Sequence, residues 1–506
     1  MSESQYDTLY YPDYLHPQTH PRRLQAVSLL LGHDAPDLKG ARVLELGASS
    51  GTNLIAMAMG HPEASFVGVD LAAKRVEEGL LQIHRVGLKN VELKVMSATQ
   101  IDPALGLFDY IIAHGLFSWV PAPVRAGILQ TCAQSLTPKG VAFISYNIFP
   151  GWAHRWLAGH FMRGFSDPNL RPAERARQAR ELLSHLVETT DGVLHDGYEI
   201  EAKRLNEQPN GYLFHEYMGA AHHPYFFRDF VGEARDASLE YLGESESLTY
   251  LDPRATARDT GSGPPDFGGD VIEAQQYIDF AEGRYFRQSL LFKAGQGVGG
   301  MLSRDALPQL HITADVRILL PLRLHSDLPE RLQVGEDEVR EGRPLLKAAY
   351  TLLGETWPAA ISFDDLLRRA RGLLGRKGKA GESVDRQALH DALYSAYLAD
   401  RIHLEGRSPR LANKPSSHPV ASPLARHQLA RGDAWLSTLR HDSLTVDDAT
   451  RLLLPLLDGS RDLDTLVHEV GHLLPNSGPF GRAVGPGRMG VRSLLDLLAK
   501  AALLIG

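Results

Sequence analysis

This 506-residue sequence has a single cysteine, Cys132, and no excess of positive charge. One thiol cannot form an intramolecular disulfide or a cysteine-based metal cluster, so both are excluded. The 53 lysines and arginines stand against 61 aspartates and glutamates, and the formal charge of −8 argues against a dominant nucleic-acid-binding surface. The sequence also lacks an apolar run of membrane-spanning length and the features of a signal peptide. We therefore expect a cytoplasmic protein with no membrane insertion and no nucleic-acid partner.

The stretch from Ala41 to Leu71 organises the sequence. A short apolar strand, Val43 to Leu46, is followed by a tight turn, Gly47 to Gly51, and then by a helix. A second apolar strand, Phe66 to Val69, ends on Asp70. Ligands of parallel sheets bind at the carboxyl ends of strands, beside helix N-termini. The pattern predicts a nucleotide site in which Asp70 accepts hydrogen bonds from two ribose hydroxyls.

The turn does not match the dinucleotide fingerprint, which has glycines at its first, third and sixth positions. Those positions here are Gly47, Ser49 and Thr52. The stretch instead resembles motif I of class I S-adenosylmethionine-dependent methyltransferases, with Glu45 before the turn. The resemblance implies S-adenosyl-L-methionine as cofactor, and a Rossmann-type unit that binds another ligand, or none, is the alternative. The cofactor-binding residues that it implies are Glu45, Gly47, Ala48, Ser49, Gly51, Asn53, Asp70, Leu71, Ser97, Ala98, His114 and Gly115.

Two later strands deliver candidate residues to the same edge of the predicted sheet. The strand Asp109 to Ala113 precedes His114 and Trp119, and the strand that begins at Val141 ends with the candidate Tyr146, which Asn147 follows. Because the carboxyl ends of parallel strands gather at one edge, we expect these residues to line one cleft. A core histidine that only satisfies its own polar atoms is the alternative for His114. The Asn/Asp-Pro-Pro-Tyr tetrapeptide of many amino-methylating enzymes is absent, so this region does not identify the methyl acceptor.

The N-terminal segment 5–24 is rich in tyrosine, proline and histidine. Its prolines, Pro12, Pro17 and Pro21, repeatedly block helix formation. Such an extended arm before a nucleotide-binding unit folds either over the ligand or against the core as a packing strap.

Residues 153–207 are predicted to form a helical insertion, because they are charged and helical where the core sheet needs its next strand. Leu182, Leu183, Leu186 and Val187 recur at helical spacing outside the sheet. We expect an exposed apolar face there, which predicts a lid or a twofold dimer contact.

The rest of the chain completes the core and adds two smaller domains. The sixth and seventh strands are predicted at 239–244 and 286–293. The resemblance to class I methyltransferases implies that the last strand is antiparallel and that residues 212–297 correspond to a methyltransferase regulatory domain. The predicted fold is therefore α/β, a Rossmann-like seven-stranded methyltransferase domain with a helical insertion and winged-helix-like C-terminal domains. The predicted domains are a core at 1–297, a middle domain at 298–413 and, after a Pro/Ser linker, a C-terminal domain at 424–506.

A zinc-protease pattern, H-E-x-x-H, occurs at His468, Glu469 and His472. Two histidines four residues apart on a helix can bind zinc, but a third ligand is needed. The chain after His472 contains no further histidine or glutamate, and Pro475 ends the helix within a turn. We interpret the pattern as a coincidence in an amphipathic helix and predict no metal site.

Over nearly its full length the chain resembles large bacterial class I methyltransferases that carry a methyltransferase regulatory domain. The best-understood members are dimeric protein-lysine methyltransferases that act on outer-membrane proteins. The resemblance implies a protein substrate, such as an outer-membrane protein before export, and a homodimer. It rests on the segments PQTHPRRL at 17–24, LELGASSGTNL at 44–54, HGLFSWVP at 114–121, SYNIFPGW at 145–152, YLFHEYM at 212–218 and LSTLRHDSLTVDDATRLLLPLLDG at 436–459.

Several aromatic and polar residues in these segments are candidates for orienting the acceptor amine. An aromatic channel suits a lysine ammonium through cation–π contact and hydrogen bonds. A methyltransferase for a small molecule or a peptide natural product, and a cofactor-binding regulatory protein without turnover, are the alternatives. The predicted catalytic residues are Trp119, Tyr146, Asn147, His215 and Glu216.

Overall fold

The computed structural model describes residues 13–219, 221–246, 267–297 and 302–506. Its main sheet has seven strands: β1 Arg42–Leu46, β2 Ser65–Asp70, β3 Val91–Val95, β4 Phe108–Ala113, β5 Leu136–Asn147, β6 Leu239–Glu244 and β7 Phe286–Lys293. The strand order is β3-β2-β1-β4-β5-β7-β6, and β7 runs antiparallel to both neighbours. This order confirms the predicted α/β class and the prediction that strands 239–244 and 286–293 lie in one sheet with the fifth strand; β7 pairs with β5, and β6 pairs with β7.

Helices cover both faces of this sheet because successive strand residues point to opposite sides. Val43 of β1 packs in one core with the N-terminal helices, whereas Leu44 packs in a second core on the other face. The carboxyl ends of β1, β2, β4 and β5 meet at one edge, where the predicted site residues lie. The helices up to residue 297 are α1 Pro21–Leu30, α2 Thr52–Gly60, α3 Ala73–Val86, α4 Ala122–Ser135, α5 Ala153–Phe165, α6 Pro172–Thr189, α7 Val193–Asn206, α8 Asn210–Tyr217, α9 Phe227–Asp236 and α10 Val271–Glu282.

Helices α5 to α7 form the predicted insertion at 153–207, and together with α8 they pack around their own small core. Leu183 is buried in this core, and Leu182, Leu186 and Val187 are half-buried. The expectation of an exposed apolar face at these four positions is therefore wrong, because α6 uses it to pack against the other helices of the insertion.

The middle part of the chain contains three helices and several short antiparallel strands in the described residues. These strands form two three-stranded sheets with the orders β11-β10-β9 and β12-β8-β13. Three helices with short antiparallel strands agree with the predicted winged-helix-like architecture, while the domain boundaries stay a prediction. The elements are β8 His311–Thr313, β9 Val316–Arg317, β10 Glu330–Val334, β11 Asp337–Glu341, α11 Pro344–Thr356, β12 Ile361–Ser362, α12 Phe363–Leu373, α13 Glu382–Leu398 and β13 His403–Glu405.

The C-terminal part contains four helices and one two-stranded sheet in the described residues: α14 Pro423–Arg431, β14 Trp435–Ser437, β15 Ser443–Thr445, α15 Asp448–Leu453, α16 Leu463–Val470 and α17 Gly487–Lys500. Helix α16 ends before His472, so the two histidines of the protease pattern do not share one helix. Glu469 Oε2 accepts a hydrogen bond from Arg461 Nε at 2.8 Å. Within the described ranges no three His, Cys, Asp or Glu side chains are grouped to hold a metal ion, and no helix is long and apolar enough to span a bilayer.

A buried ion cluster joins the three parts of the chain. Glu405 of β13 lies between Arg22 of α1 and Arg440 of the C-terminal part, and all three side chains are buried. Arg440 Nη1 also donates to the Pro358 carbonyl oxygen at 2.8 Å. The C-terminal turn that carries Arg440 is thereby held against α1 and the middle part of the chain.

Candidate active site

The turn between β1 and α2 has the backbone conformation that glycine favours. Gly47 has a left-handed φ of +76°, and Ser49 has a φ of +51°. The Ser49 N–H donates to Asp70 Oδ2 at 2.8 Å. Behind the turn, a Cβ on Gly79 would lie 2.1 Å from the Ser50 carbonyl oxygen, so only glycine lets α3 pack this closely. These contacts hold the turn at the carboxyl ends of β1 and β2.

Asp70 ends β2 with acceptor capacity still available. Its Oδ1 accepts a hydrogen bond from the Ala72 N–H at 2.8 Å and its Oδ2 accepts the one from Ser49. Each carboxylate oxygen has two lone pairs, so each can accept a further hydrogen bond from a hydroxyl. Leu71, beside it, is 69% exposed, and Ser97–Ala98 follow the neighbouring strand β3. This geometry fits a ribose at Asp70 and an adenine between Leu71 and the end of β3.

Glu45 is a buried carboxylic acid two residues before the turn. Its Oε1 accepts a hydrogen bond from Asn53 Nδ2 at 2.8 Å, while Oε2 has no hydrogen-bond partner among the described residues. Burial raises the pKa of Glu45 to about 7; the hydrogen bond from Asn53 opposes this shift and the charge of Asp70 adds to it. A buried carboxylate with one unpartnered oxygen suits a ligand that carries an ammonium group.

The described part of the N-terminal arm packs on the turn. Asp13 Oδ2 accepts a hydrogen bond from Ser50 Oγ at 2.9 Å and forms an ion pair with Arg75 of α3. The ring centroid of His16 lies 3.9 Å from that of His114. These contacts place the described part of the arm against the turn and agree with both interpretations, a cover over the ligand and a packing strap; residues 1–12 lie outside the described residues. Sequence reasoning did not single out Asp13 or His16, although it identified the arm.

A cluster of aromatic rings lies at the same edge, at the ends of β4 and β5. The His222 ring stacks on Trp119, with centroids 4.4 Å apart and an interplanar angle of 19°, and lies 4.5 Å from Trp152. Asn147 Nδ2 lies 3.0 Å from His222 Nε2. We call Trp119, Asn147, Trp152 and His222 the aromatic cluster. The structure thus brings together two of the predicted catalytic residues, Trp119 and Asn147.

His222 was missed by sequence reasoning, and the only signal for it was the histidine pair before Pro224. An amide nitrogen can only donate, so Nε2 of His222 accepts and the imidazole is neutral with its proton on Nδ1. Burial lowers the pKa of His222 to about 3. A neutral ring held between two tryptophans positions other groups and is a poor proton acceptor near pH 7.

Tyr146 does not face the cleft, and this expectation is wrong. Its ring is buried in the core on the α4 and α9 face, where it stacks on Phe230 at a centroid distance of 3.9 Å. Its hydroxyl lies 2.9 Å from Ser289 Oγ, and burial raises its pKa well above the ordinary value. The cause is strand alternation, since Tyr146 and Asn147 point to opposite faces and only Asn147 contacts the aromatic cluster.

The segment at 212–218 returns to the carboxyl edge of the sheet. The side chain of Tyr217, however, packs in the core of the helical insertion. Tyr217 is buried and its hydroxyl donates to Glu201 Oε2 at 2.6 Å. His215 and Glu216 are half-buried on α8. A Cβ on Gly219 would lie 3.8 Å from Trp119 Cε3, so the chain after α8 reaches the aromatic cluster. The catalytic roles of His215 and Glu216 stay predictions.

His114 and Gly115 follow β4 beside the turn. The His114 ring lies between His16 and Phe143, and its Nδ1 is buried without a partner in the described part of the chain. Burial lowers its pKa well below the ordinary value, so the ring is neutral. Gly115 donates its N–H to Ser145 Oγ at 3.0 Å and is exposed, which leaves space at the carboxyl edge between the turn and the aromatic cluster.

These features together define a class I methyltransferase. The order of the seven strands, the glycine turn after β1 and the acid at the end of β2 accommodate an adenosyl group. The unpartnered Glu45 oxygen adds an acceptor for the amine of a methionine group. When bound, S-adenosylmethionine supplies an electrophilic methyl group, and the residues of this chain bind and orient it.

Comparisons with known proteins agree with this class. Family models match residues 43–140 as a methyltransferase domain, 209–293 as a predicted methyltransferase regulatory domain and 417–475 as a PKMT C-terminal winged helix domain. RP789, an uncharacterised protein of Rickettsia prowazekii, is 29% identical over 490 residues, which cover 92% of this chain and 86% of that protein. RP028 of the same organism, also uncharacterised, is 32% identical over 240 residues, covering 47% of this chain and 96% of that protein.

The structure of PKMT2 from Rickettsia typhi has the same fold, with a TM-score of 0.80 and 24% identity over 98% of this chain and 100% of that one. That protein has also been solved in complex with AdoHcy. The chain belongs to the family of RP028, and it is an S-adenosylmethionine-dependent methyltransferase with a regulatory domain and a PKMT-type winged helix.

Proposed function

We propose that this enzyme transfers methyl groups from S-adenosylmethionine to lysine side chains of a protein, and that it acts in the cytoplasm on an outer-membrane protein before export. The observation that carries the lysine acceptor is the aromatic cluster at the carboxyl edge, beside the predicted cofactor site. The proposal also draws on the similarity to PKMT2 and on the family resemblance of the whole chain.

The proposed cofactor site follows the geometry of the turn. Asp70 binds the ribose, Gly47 gives the methionine portion room to approach the backbone, and Glu45 accepts a hydrogen bond from its amine. Leu71 contacts the adenine, with Ser97–Ala98 on its other side. Each assignment uses an acceptor or an open surface that the described residues leave available.

The acceptor lysine must lose its proton before it attacks the methyl group. Trp119 has a π face that attracts the lysine ammonium. Burial of the lysine amine among aromatic rings favours its neutral form. The enzyme then holds nitrogen, methyl and sulfur in line. This orientation lowers the activation barrier by about 7 kcal/mol or more. The proton leaves to water or to a nearby base, for which Glu216 is the candidate.

The direct test is incubation of the full-length enzyme and isotopically labelled S-adenosylmethionine with a lysate of its source cells. We expect labelled N-methyl-lysine in tryptic peptides by mass spectrometry. Label that appears only in small molecules would contradict the protein acceptor, and the absence of any labelled product together with normal cofactor binding would indicate a protein without turnover.

Cofactor binding should strengthen as the pH rises through about 7. Glu45 has a pKa of about 7 in the free protein, and its ionised form attracts the ligand amine. We expect the Kd of S-adenosylhomocysteine to fall about tenfold between pH 5.5 and 7.5, since one ionisation changes affinity by up to tenfold per pH unit below the pKa. Glu45→Gln should remove this dependence, and a Kd that is flat with pH in the unsubstituted enzyme would contradict the role of Glu45.

His222→Ala should lower turnover on the protein acceptor and leave cofactor affinity nearly unchanged. Loss of the ring removes the support of Trp119 and Asn147, and loss of one positioning contact costs about tenfold to a thousandfold in rate. His223→Ala is the matched control, because His223 is the adjacent histidine, is exposed and contacts Tyr225 instead. Equal turnover of the two variants would contradict a role for His222.

We propose that the helical insertion forms the homodimer contact, but through α7 and the end of α5 and not through the expected apolar face of α6. Helix α7 exposes Val193 and Ile200 at 82% and 61%, and Phe165 at the end of α5 is 70% exposed. Exposed apolar side chains close together often mark an interface. Light scattering at micromolar concentration should give twice the 55.7 kDa chain mass, and Ile200→Glu should reduce it. A monomer in the unsubstituted protein would contradict the dimer.

A further inference from the structure

The amide of Asn53 is a fully satisfied polar node beside the turn. Its Nδ2 donates to Glu45 Oε1 at 2.8 Å and to Thr19 Oγ1 at 3.1 Å. Its Oδ1 accepts from the His16 N–H at 3.1 Å and lies 2.8 Å from His441 Nε2. The node therefore joins the arm, helix α2, strand β1 and the C-terminal winged helix.

The orientation of this amide follows from its partners. The His16 backbone N–H can only donate, so it must face the amide oxygen, and the amide nitrogen must then face Glu45. His441 Nε2 consequently carries the proton that it donates to Asn53. Burial lowers the pKa of His441 well below its ordinary value, which agrees with a neutral ring.

His441 is built into the structure at a conformational cost. It has a left-handed φ of +66°, which non-glycine residues rarely adopt, and its side chain is buried. The turn that carries it packs against the end of α2, where a Cβ on Gly60 would lie 3.2 Å from the Leu439 carbonyl oxygen. Arg440, the next residue back along the chain, is fixed by Glu405. Backbone strain that the surrounding structure maintains is found most often at functional positions, which suggests a role for the His441 side chain.

We propose that His441 of the C-terminal winged helix is a positioning residue of the cofactor site, acting through Asn53 to aim the unpartnered oxygen of Glu45 at the amine of S-adenosylmethionine. The C-terminal domain thus completes the site of the catalytic domain across 388 residues of sequence. The inference rests on the proposed contact between Glu45 and the ligand amine.

The test compares two ligands that differ in the amino-acid portion. S-Adenosylhomocysteine carries the amine, whereas 5′-methylthioadenosine has the same adenosine and thioether but no amine or carboxylate. His441→Gly removes the ring and also relieves the left-handed backbone, which offsets part of the cost of the cavity that the ring leaves. By calorimetry on the full-length protein we expect S-adenosylhomocysteine to bind about threefold to tenfold more weakly and 5′-methylthioadenosine to bind unchanged, the range for one net hydrogen bond.

Two further variants distinguish an error in the role of His441 from an error in the proposed contact between Glu45 and the ligand amine. His441→Gln places an amide donor near the position of Nε2 and should restore most of the affinity for S-adenosylhomocysteine. Asn53→Ala should weaken S-adenosylhomocysteine selectively, because it breaks the contact to Glu45 directly. Equal weakening of both ligands by His441→Gly, or no weakening of either, would overturn the role of His441. If Asn53→Ala is silent as well, the proposed contact of Glu45 with the amine is also wrong.

Discussion

Gly47→Val is expected to abolish S-adenosylmethionine binding. The residue has a φ of +76°, which valine as a β-branched residue strongly disfavours, and a Cβ there would lie 3.2 Å from Leu116 Cδ2. In the proposed site the methionine portion also approaches this turn, so a side chain that displaces the turn would exclude the ligand. We expect the Kd measured by calorimetry to rise more than about a hundredfold, since strain of 1–3 kcal/mol adds to the steric clash.

The control for this variant is Gly32→Val. Gly32 has a similar φ of +81°, is exposed and would place its Cβ in open space. It therefore carries comparable backbone strain at a distance from the ligand, and it should lower the unfolding midpoint slightly without changing the Kd. A Gly47→Val enzyme that binds S-adenosylmethionine normally would refute the position of the cofactor in this turn.

Among the variants described, Glu405→Ala is expected to lower the free energy of unfolding most. Glu405 is buried between Arg22 and Arg440, and although burial by itself raises its pKa, the two guanidinium charges hold that pKa below its ordinary value. Removal of the carboxylate leaves two buried positive charges without their partner. The cost of breaking a buried ion pair in this way is about 3–5 kcal/mol. Urea unfolding followed by circular dichroism should show a clearly lower midpoint.

The matched control is Asp37→Ala, which breaks an ion pair with Arg407. That pair joins two of the three parts that Glu405 connects, but it is exposed, with Arg407 Nε 2.9 Å from Asp37 Oδ1. An exposed pair contributes about 0–1 kcal/mol, so its loss should shift the midpoint little. Because the folded pKa of Glu405 is lowered, its contribution is present above the unfolded pKa of about 4.3 and is lost as the pH falls through the folded value. Similar midpoints for the two variants would contradict the importance of the buried cluster.

The sequence by itself determined the seven-stranded sheet and the glycine turn after β1. The strands at 239–244 and 286–293 occur with the predicted bounds, although the whole of residues 148–238 separates the first of them from the end of β5 at Asn147. These predictions succeeded because apolar alternation, helical spacing and a glycine with positive φ are local properties. They depend on the residues of one segment, whatever packs against it.

Only the tertiary structure decided which face of the sheet is covered by helices at each strand residue, and which distant residue completes the site. Alternation along β5 places Tyr146 and Asn147 on opposite faces, but it does not tell which face the helices cover, and Tyr146 is buried beneath α9. Likewise, no local pattern links His441 to Asn53, or His222 to Trp119. Such contacts arise when separately predictable segments bury their apolar surfaces against one another, and that packing fixes which polar side chains meet.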